Sequence, residues 1–158
     1  LDVLGRERGG AHRVLGRMSR GLGEVGLLDT IPGVGAITAR TMVGWIVDPY
    51  RFKSRNALNG YGGLGICQSM TNWRRVGRAR ASKRGQRALK RVLILAARAA
   101  IKGENALARR YRSRIESGWE DRKAIRDVAR TILLVGCAMW KRKEAYRDEC
   151  VSLPLAKR

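Results

Sequence analysis

Between Asp48 and Glu104 the chain carries no acidic residue, while Arg51, Lys53, Arg55, Arg74, Arg75, Arg78, Arg80, Lys83, Arg84, Arg87, Lys90, Arg91, Arg98 and Lys102 are all cationic. Like charges at this density repel one another, so such a segment is tolerated only where solvent or a polyanion screens it. One strongly positive surface is therefore expected. The rest of the chain shares the bias: 34 Lys/Arg against 13 Asp/Glu give a formal charge of +21 over 158 residues, which excludes an inert, charge-balanced globule. The length suits one domain with a conventional core. Hydrophobic residues at 44% are near the globular norm, whereas aromatics reach only 6%.

Several classes drop out on residue type. No apolar run reaches the ~18 residues of a membrane span; the longest clean stretch, Ile132 to Trp140, stops at Lys141. Cys67, Cys137 and Cys150 are odd in number and widely spaced, and His12 is the only histidine, so neither a disulfide framework nor a zinc site is expected. A soluble protein of a reducing, cytoplasmic compartment fits this usage. The first residue is Leu1 and nothing near it resembles a signal peptide, so the chain reads as part of something longer.

Along the chain, residues 1–26 scatter seven glycines among Arg and Leu, a lead-in that is flexible or partly helical. From Leu27 two short apolar segments flank a Pro-Gly-Val-Gly turn, and the second, about Ala36 to Val47, predicts a helix closed by Pro49. Gly60, Gly62, Gly63, Gly65 and Gly77 mark a loop-rich, basic stretch. From Gln86 onward Leu89, Val92, Leu93, Ala96 and Ala100 recur at helical spacing, with Arg87, Arg91 and Arg98 on the other side. Asn105 to Glu116 places Leu107, Tyr111 and Ile115 on one face, and Asp121 to Tyr146 does the same with Ile125, Val128, Ile132, Val135 and Met139. Sustained period-two alternation is absent. The expected class is all-α: a helical domain over 27–146 with a basic loop and three longer helices, followed by a tail, 147–158.

The turn Ile31-Pro32-Gly33-Val34-Gly35 has two readings: a plain connector, or backbone amides of Gly33 and Gly35 offered to a phosphate at a helix start. The order apolar helix, small-residue turn, apolar helix resembles a helix-hairpin-helix element, which grips DNA backbone without reading bases. The run Arg74 to Gly85 contains no acid, which weakens its reading as a mere solvated face. If Arg74, Arg75, Arg78, Arg80, Lys83, Arg84, Arg87 and Arg91 meet phosphates, affinity falls with salt at a log-log slope of roughly −7. Trp73 and Tyr61 read as loop anchors ahead of base-stacking groups, and Trp45, Trp119 and Trp140 as packing residues. Ser69 and Thr71 lie among arginines with no general base nearby, so the residues alone favour phosphate hydrogen bonding over nucleophilic attack.

Taken in order, LLDTIPGVGAITA, DPYRFKSRNALNGYGGLG, GRARASKRGQRALKRVLILAA and RDVARTILLVGCAMWKRKEAY resemble the C-terminal domain of the transposases named for insertion sequences 110, 116 and 902, from about Leu27 to Tyr146. The resemblance implies a site-specific DNA recombinase guided by a structured bridge RNA, acting as a homo-oligomer, a tetramer, near the bacterial nucleoid. It implies an N-terminal nuclease-like domain whose four carboxylates bind magnesium, and a C-terminal domain that supplies a serine nucleophile and contacts RNA and DNA. These residues lack the carboxylate half, so no cofactor or metal is assigned to the chain itself. The family serine stands seven positions after a Gly-Leu and eleven before a Ser-Lys; counting from Leu64 and from Ser82, both routes arrive at Thr71, with Ser69 the substitute candidate.

Two functional expectations follow. The first is the nucleic-acid-binding C-terminal domain of such a transposase, with Thr71 or Ser69 as attacking hydroxyl and inactive without its metal-binding half. The second is a non-catalytic, basic DNA- or RNA-binding protein derived from a transposase fragment. A weaker third is a duplex-backbone clamp built on the Pro-Gly-Val-Gly turn alone.

Overall fold

The computed structural model describes residues 23–71, 74–81 and 84–152. Most of the lead-in, Trp73, Lys83 and the last six positions lie outside the described residues. The elements are α1 (Gly23–Asp29), α2 (Ala36–Ile46), a 3-10 turn (Pro49–Arg51), α3 (Arg55–Tyr61), β1 (Ile66–Thr71), β2 (Arg74–Ala81), α4 (Arg87–Ala100), α5 (Ala106–Glu116), α6 (Asp121–Arg142) and α7 (Glu149–Ser152).

The packed body is all-helical, as expected, and α6 is its spine. At 22 residues it is about 33 Å long. It buries Ala124, Ile125, Val128, Ala129, Ile132 and Leu133 along a face wider than one stripe, because α1, α3, α4, α5 and the 3-10 turn all pack on it. Val135, expected inside, is only half-buried. The helix stops at Arg142, short of Tyr146, because Lys143 adopts left-handed backbone at φ 55°. In α5 Asn105 caps the start, accepting from the Ala108 N–H at 2.9 Å, and Ile115 is turned to solvent instead of the core.

The expected basic loop is a two-stranded antiparallel ribbon, β1 against β2. Its register pairs Ile66 with Ala81 and Cys67 with Arg80, then Ser69 with Val76, Met70 with Arg75 and Thr71 with Arg74. The slip between Cys67 and Ser69 sets Gln68 against Gly77, Arg78 and Ala79, a bulge that breaks the alternation by which a strand is read from sequence. The strands pack chiefly on each other. Of the glycine-rich stretch before them, Gly60 lies in α3, whose Ser54 side chain accepts from the Ala57 N–H at 3.1 Å, while Gly62, Gly63 and Gly65 form the loop that leads into β1.

Candidate nucleic-acid interface

The second half of the acid-free segment is α4. Leu89, Leu93, Ala96, Ala97 and Ala100 are buried, and Arg87, Arg91 and Arg98 are exposed. At 100° per residue the three arginines fall within about 40° of one another, a single stripe on which Leu95 is also exposed. None of the three forms an ion pair among the described residues.

Acids are spent elsewhere. Asp127, buried on α6, accepts from Arg110 Nε at 2.9 Å and Arg114 Nε at 3.1 Å. Arg109 pairs with Asp148 at 3.0 Å and Arg112 with Glu104 at 3.1 Å. All four pairs belong to α5, so among the described residues the positive charge of that helix is compensated while that of Arg87, Arg91 and Arg98 on α4 is not. Burial raises the Asp148 carboxyl, yet hydrogen bonds from the Ala106 N–H, Tyr146 and Arg109 together outweigh it and hold the group below the usual carboxylate range. The Tyr111 hydroxyl donates to Asp121 at 2.6 Å, which pushes its own pKa up.

The ribbon is rooted by close backbone contacts. Gly85, at φ +106°, faces Gly63, and a Cβ there would stand 2.4 Å from the Gly63 nitrogen and 2.5 Å from the Gly60 carbonyl oxygen. The Gln86 N–H donates to the Tyr61 carbonyl at 2.8 Å, closing the same junction. From α6 Arg130 Nη2 donates to the Leu64 carbonyl at 2.8 Å, two residues ahead of β1. Burial lowers the Arg130 pKa, with Arg126 and Arg110 adding to the effect and Asp127 opposing it. Arg130 and Asp127 carry no motif; the signal that would have found Asp127 is an acid one step from Val128 on the buried face of α6.

The sequence-derived sites divide as follows. Ser69 and Thr71 sit on β1, and Arg74, Arg75, Arg78 and Arg80 on β2, so the ribbon joins both candidate hydroxyls to four of the candidate cations. Arg84 follows the ribbon and is exposed, and Arg87 and Arg91 continue onto the first turns of α4. Gly33 and Gly35 are not part of this group. Gly33, at φ +79°, lies so close to α4 that a Cβ would meet the Ala96 carbonyl oxygen at 2.4 Å and the Ala100 nitrogen at 2.5 Å. Ala96 and Ala100 lie about 140° to 180° around α4 from the arginine stripe, so the turn and the stripe face opposite ways. Gly33 is glycine for that close approach. Gly35 opens α2 with no side-chain cap and free space around it.

A second surface was not expected. Trp45, placed with the packing residues from sequence, is 39% exposed, next to Val47 at 69% and Tyr50 at 68%. Val47 is the centre of a tight turn in which the Asp48 N–H donates to the Ile46 carbonyl, with φ 58° and ψ −58°. A β-branched residue there is strained. Behind it Arg51 lies 4.7 Å over Phe52 and 4.6 Å over Tyr61, and the Tyr61 hydroxyl donates to the Trp45 carbonyl at 2.8 Å. Tyr61 thus anchors the segment to the core.

Among the described residues no group of three or more His, Cys, Asp or Glu side chains is placed to hold a metal. The magnesium implied by the resemblance has no ligand set here, and no chemistry is assigned through it. Among them, too, no helix is long and apolar enough to cross a membrane.

What fold and surface define is a helical domain with a protruding basic ribbon and an uncompensated arginine stripe. The model of the Transposase IS116/IS110/IS902 family matches residues 25–112, from α1 through the ribbon and α4 into α5, and the chain belongs to that family. No curated protein sequence matches it.

Proposed function

We propose that the chain is the nucleic-acid-binding domain of an RNA-guided transposase, with the ribbon and the α4 stripe as its polyanion surface. The observation that carries this reading is the division of charge: α5 has its arginines paired with carboxylates, whereas among the described residues Arg87, Arg91 and Arg98 have none. Phosphates would supply the missing counter-charge, and release of their condensed counterions would supply much of the affinity. Gly35 and the open amides of α2 would make a separate backbone contact on the other side of the domain, in the manner of a helix-hairpin-helix element.

In the complete recombinase Thr71, or Ser69 in its place, would attack a DNA phosphorus through its hydroxyl oxygen. The protein–phosphate ester forms, the sugar oxygen leaves and takes up a proton, and the ribbon's guanidinium groups offset the charge gathering on phosphate. The proton of the attacking hydroxyl passes to a base supplied from outside β1 and β2, whose own residues include no carboxylate or imidazole. The full enzyme works with DNA, a structured guide RNA and further copies of itself.

The test of the surface is the salt dependence of DNA and RNA binding. Replacing Arg87, Arg91 and Arg98 together by Gln should reduce the log-log slope by about 2 to 3. An unchanged slope rules the stripe out. The nucleophile is tested in the full-length enzyme with guide RNA and magnesium: a covalent protein–DNA adduct lost in Thr71→Ala or Ser69→Ala identifies the hydroxyl. A threonine at the family's serine position favours the second reading, a non-catalytic binder, and absence of any adduct in the unaltered full-length enzyme would establish it.

A further inference from the structure

A cleft of about 420 Å³ opens between the segment Pro49 to Leu58 and the C-terminal half of α6. Its floor is apolar: Phe52, Leu58, Leu134, Val135 and Met139 line it, with Leu134 and Val135 only half-buried and thus open to an occupant. Four exposed cations stand at its edges, Lys53 and Arg55 from one wall and Lys141 and Arg142 from the other, against a single carboxylate, Glu144. One wall is tied down beside it, since the Tyr50 hydroxyl donates to the Lys141 carbonyl at 3.1 Å and the Lys141 ammonium lies 5.1 Å over the Tyr50 ring.

The charge selects the occupant. The first 22 residues are net cationic, the last six add Lys157 and Arg158, and a second copy brings a further +21, so neither chain end nor a second copy as a whole offers the rim net negative charge. An anion with a flat apolar body does. The volume falls in the lower range of small-ligand pockets, roughly 300–1,000 Å³, and is too small to seat a helix about 10 Å across. We infer that this cleft receives one unpaired nucleotide of the bound nucleic acid, its base against Leu134, Val135 and Phe52 and its phosphates on Lys53, Arg55, Lys141 and Arg142. The assignment rests on the nucleic-acid reading above and adds a further contact, one that distinguishes an extruded or single-stranded nucleotide from a fully paired one.

The experiment uses the whole chain and two DNA probes, each with one 2-aminopurine: in a single-nucleotide bulge, or paired within a duplex. The bulged probe should bind about tenfold more tightly than the paired one and change its emission on binding. Ala138→Leu, at an exposed position of α6 that lines the cleft, fills it without touching the core. Lys53→Gln with Arg142→Gln removes one rim cation from each wall and leaves the volume. Each should abolish the preference while paired-duplex affinity stays within about twofold for Ala138→Leu. A preference and an emission change that survive both variants overturn the assignment, as does a fluorescein-labelled acidic peptide that binds the unaltered chain, is displaced by Ala138→Leu and leaves the bulged probe unaffected. Failure of the unaltered chain to bind either probe at low salt overturns the nucleic-acid reading itself, which keeps the two failures apart.

Discussion

Gly85 and Gly63 meet backbone to backbone at the root of the ribbon, with room between them for hydrogen and for no side chain. The segment that leads into β1 and the segment that leaves β2 meet here. Gly85→Ala combines a clash with the Gly60 and Gly63 backbone and a φ of +106° that L side chains resist. It should cost about 3 kcal/mol of stability, read by urea unfolding, and should speed amide exchange across β1 and β2. Loss of stability without faster exchange in the ribbon would place the junction's role elsewhere.

Asp127 holds Arg110 and Arg114 together in a partly buried cluster. Asp127→Asn leaves both guanidinium groups without their counter-charge and should destabilise the domain by about 2–4 kcal/mol. Arg112→Gln, which removes an exposed pair with Glu104, should cost no more than about 0.5 kcal/mol. Equal effects of the two substitutions in urea unfolding would refute the distinction between them.

Val47→Gly should raise the melting temperature. The strained turn costs on the order of 1–3 kcal/mol for a β-branched residue, while glycine gives back about 0.5–1 kcal/mol through greater freedom of the unfolded chain. The exposed valine buries little that would be lost. A net gain of about 1 kcal/mol is the expectation, and a drop in melting temperature would mean that Val47 makes a contact worth more than its strain.

Burial pushes the Cys137 thiol up to about 12, with Lys141 opposing the shift. At pH 8 its thiolate fraction is then on the order of 10⁻⁴, against about a tenth for a thiol of pKa 9. Peptide-resolved alkylation at pH 8 should therefore spare Cys137 until denaturant is added. The folded thiol also keeps its proton where the unfolded one releases it, so its contribution to stability is complete below pH 9 and declines as pH rises toward 12.

The helices were legible in the sequence because each buries a stripe at helical spacing against a neighbour; Leu89, Leu93, Ala96 and Ala100 of α4 are the plainest case. The ribbon was not, because the bulge opposite Gln68 spoils its alternation and its partner strand lies across a turn that no local pattern announces. Trp45 read as core because it ends an apolar helix, and which side of α2 meets α1 and α4 is a property of the assembled body. The cleft is assembled from segments some 80 residues apart and left no local trace.

By itself the sequence determined the helical class, the family, and the fact that the middle of the chain is cationic without relief, since composition and periodicity are carried by each residue and need no partner. Tertiary structure decided which charges are neutralised. Among the described residues folding brings Asp127, Asp148 and Glu104 to the arginines of α5 and no carboxylate to Arg87, Arg91 and Arg98. It also turned Gly33 inward against α4, opposite the arginine stripe. Ion pairing and close backbone contact act over a few ångströms between residues distant in the chain, so only the packed arrangement can settle them.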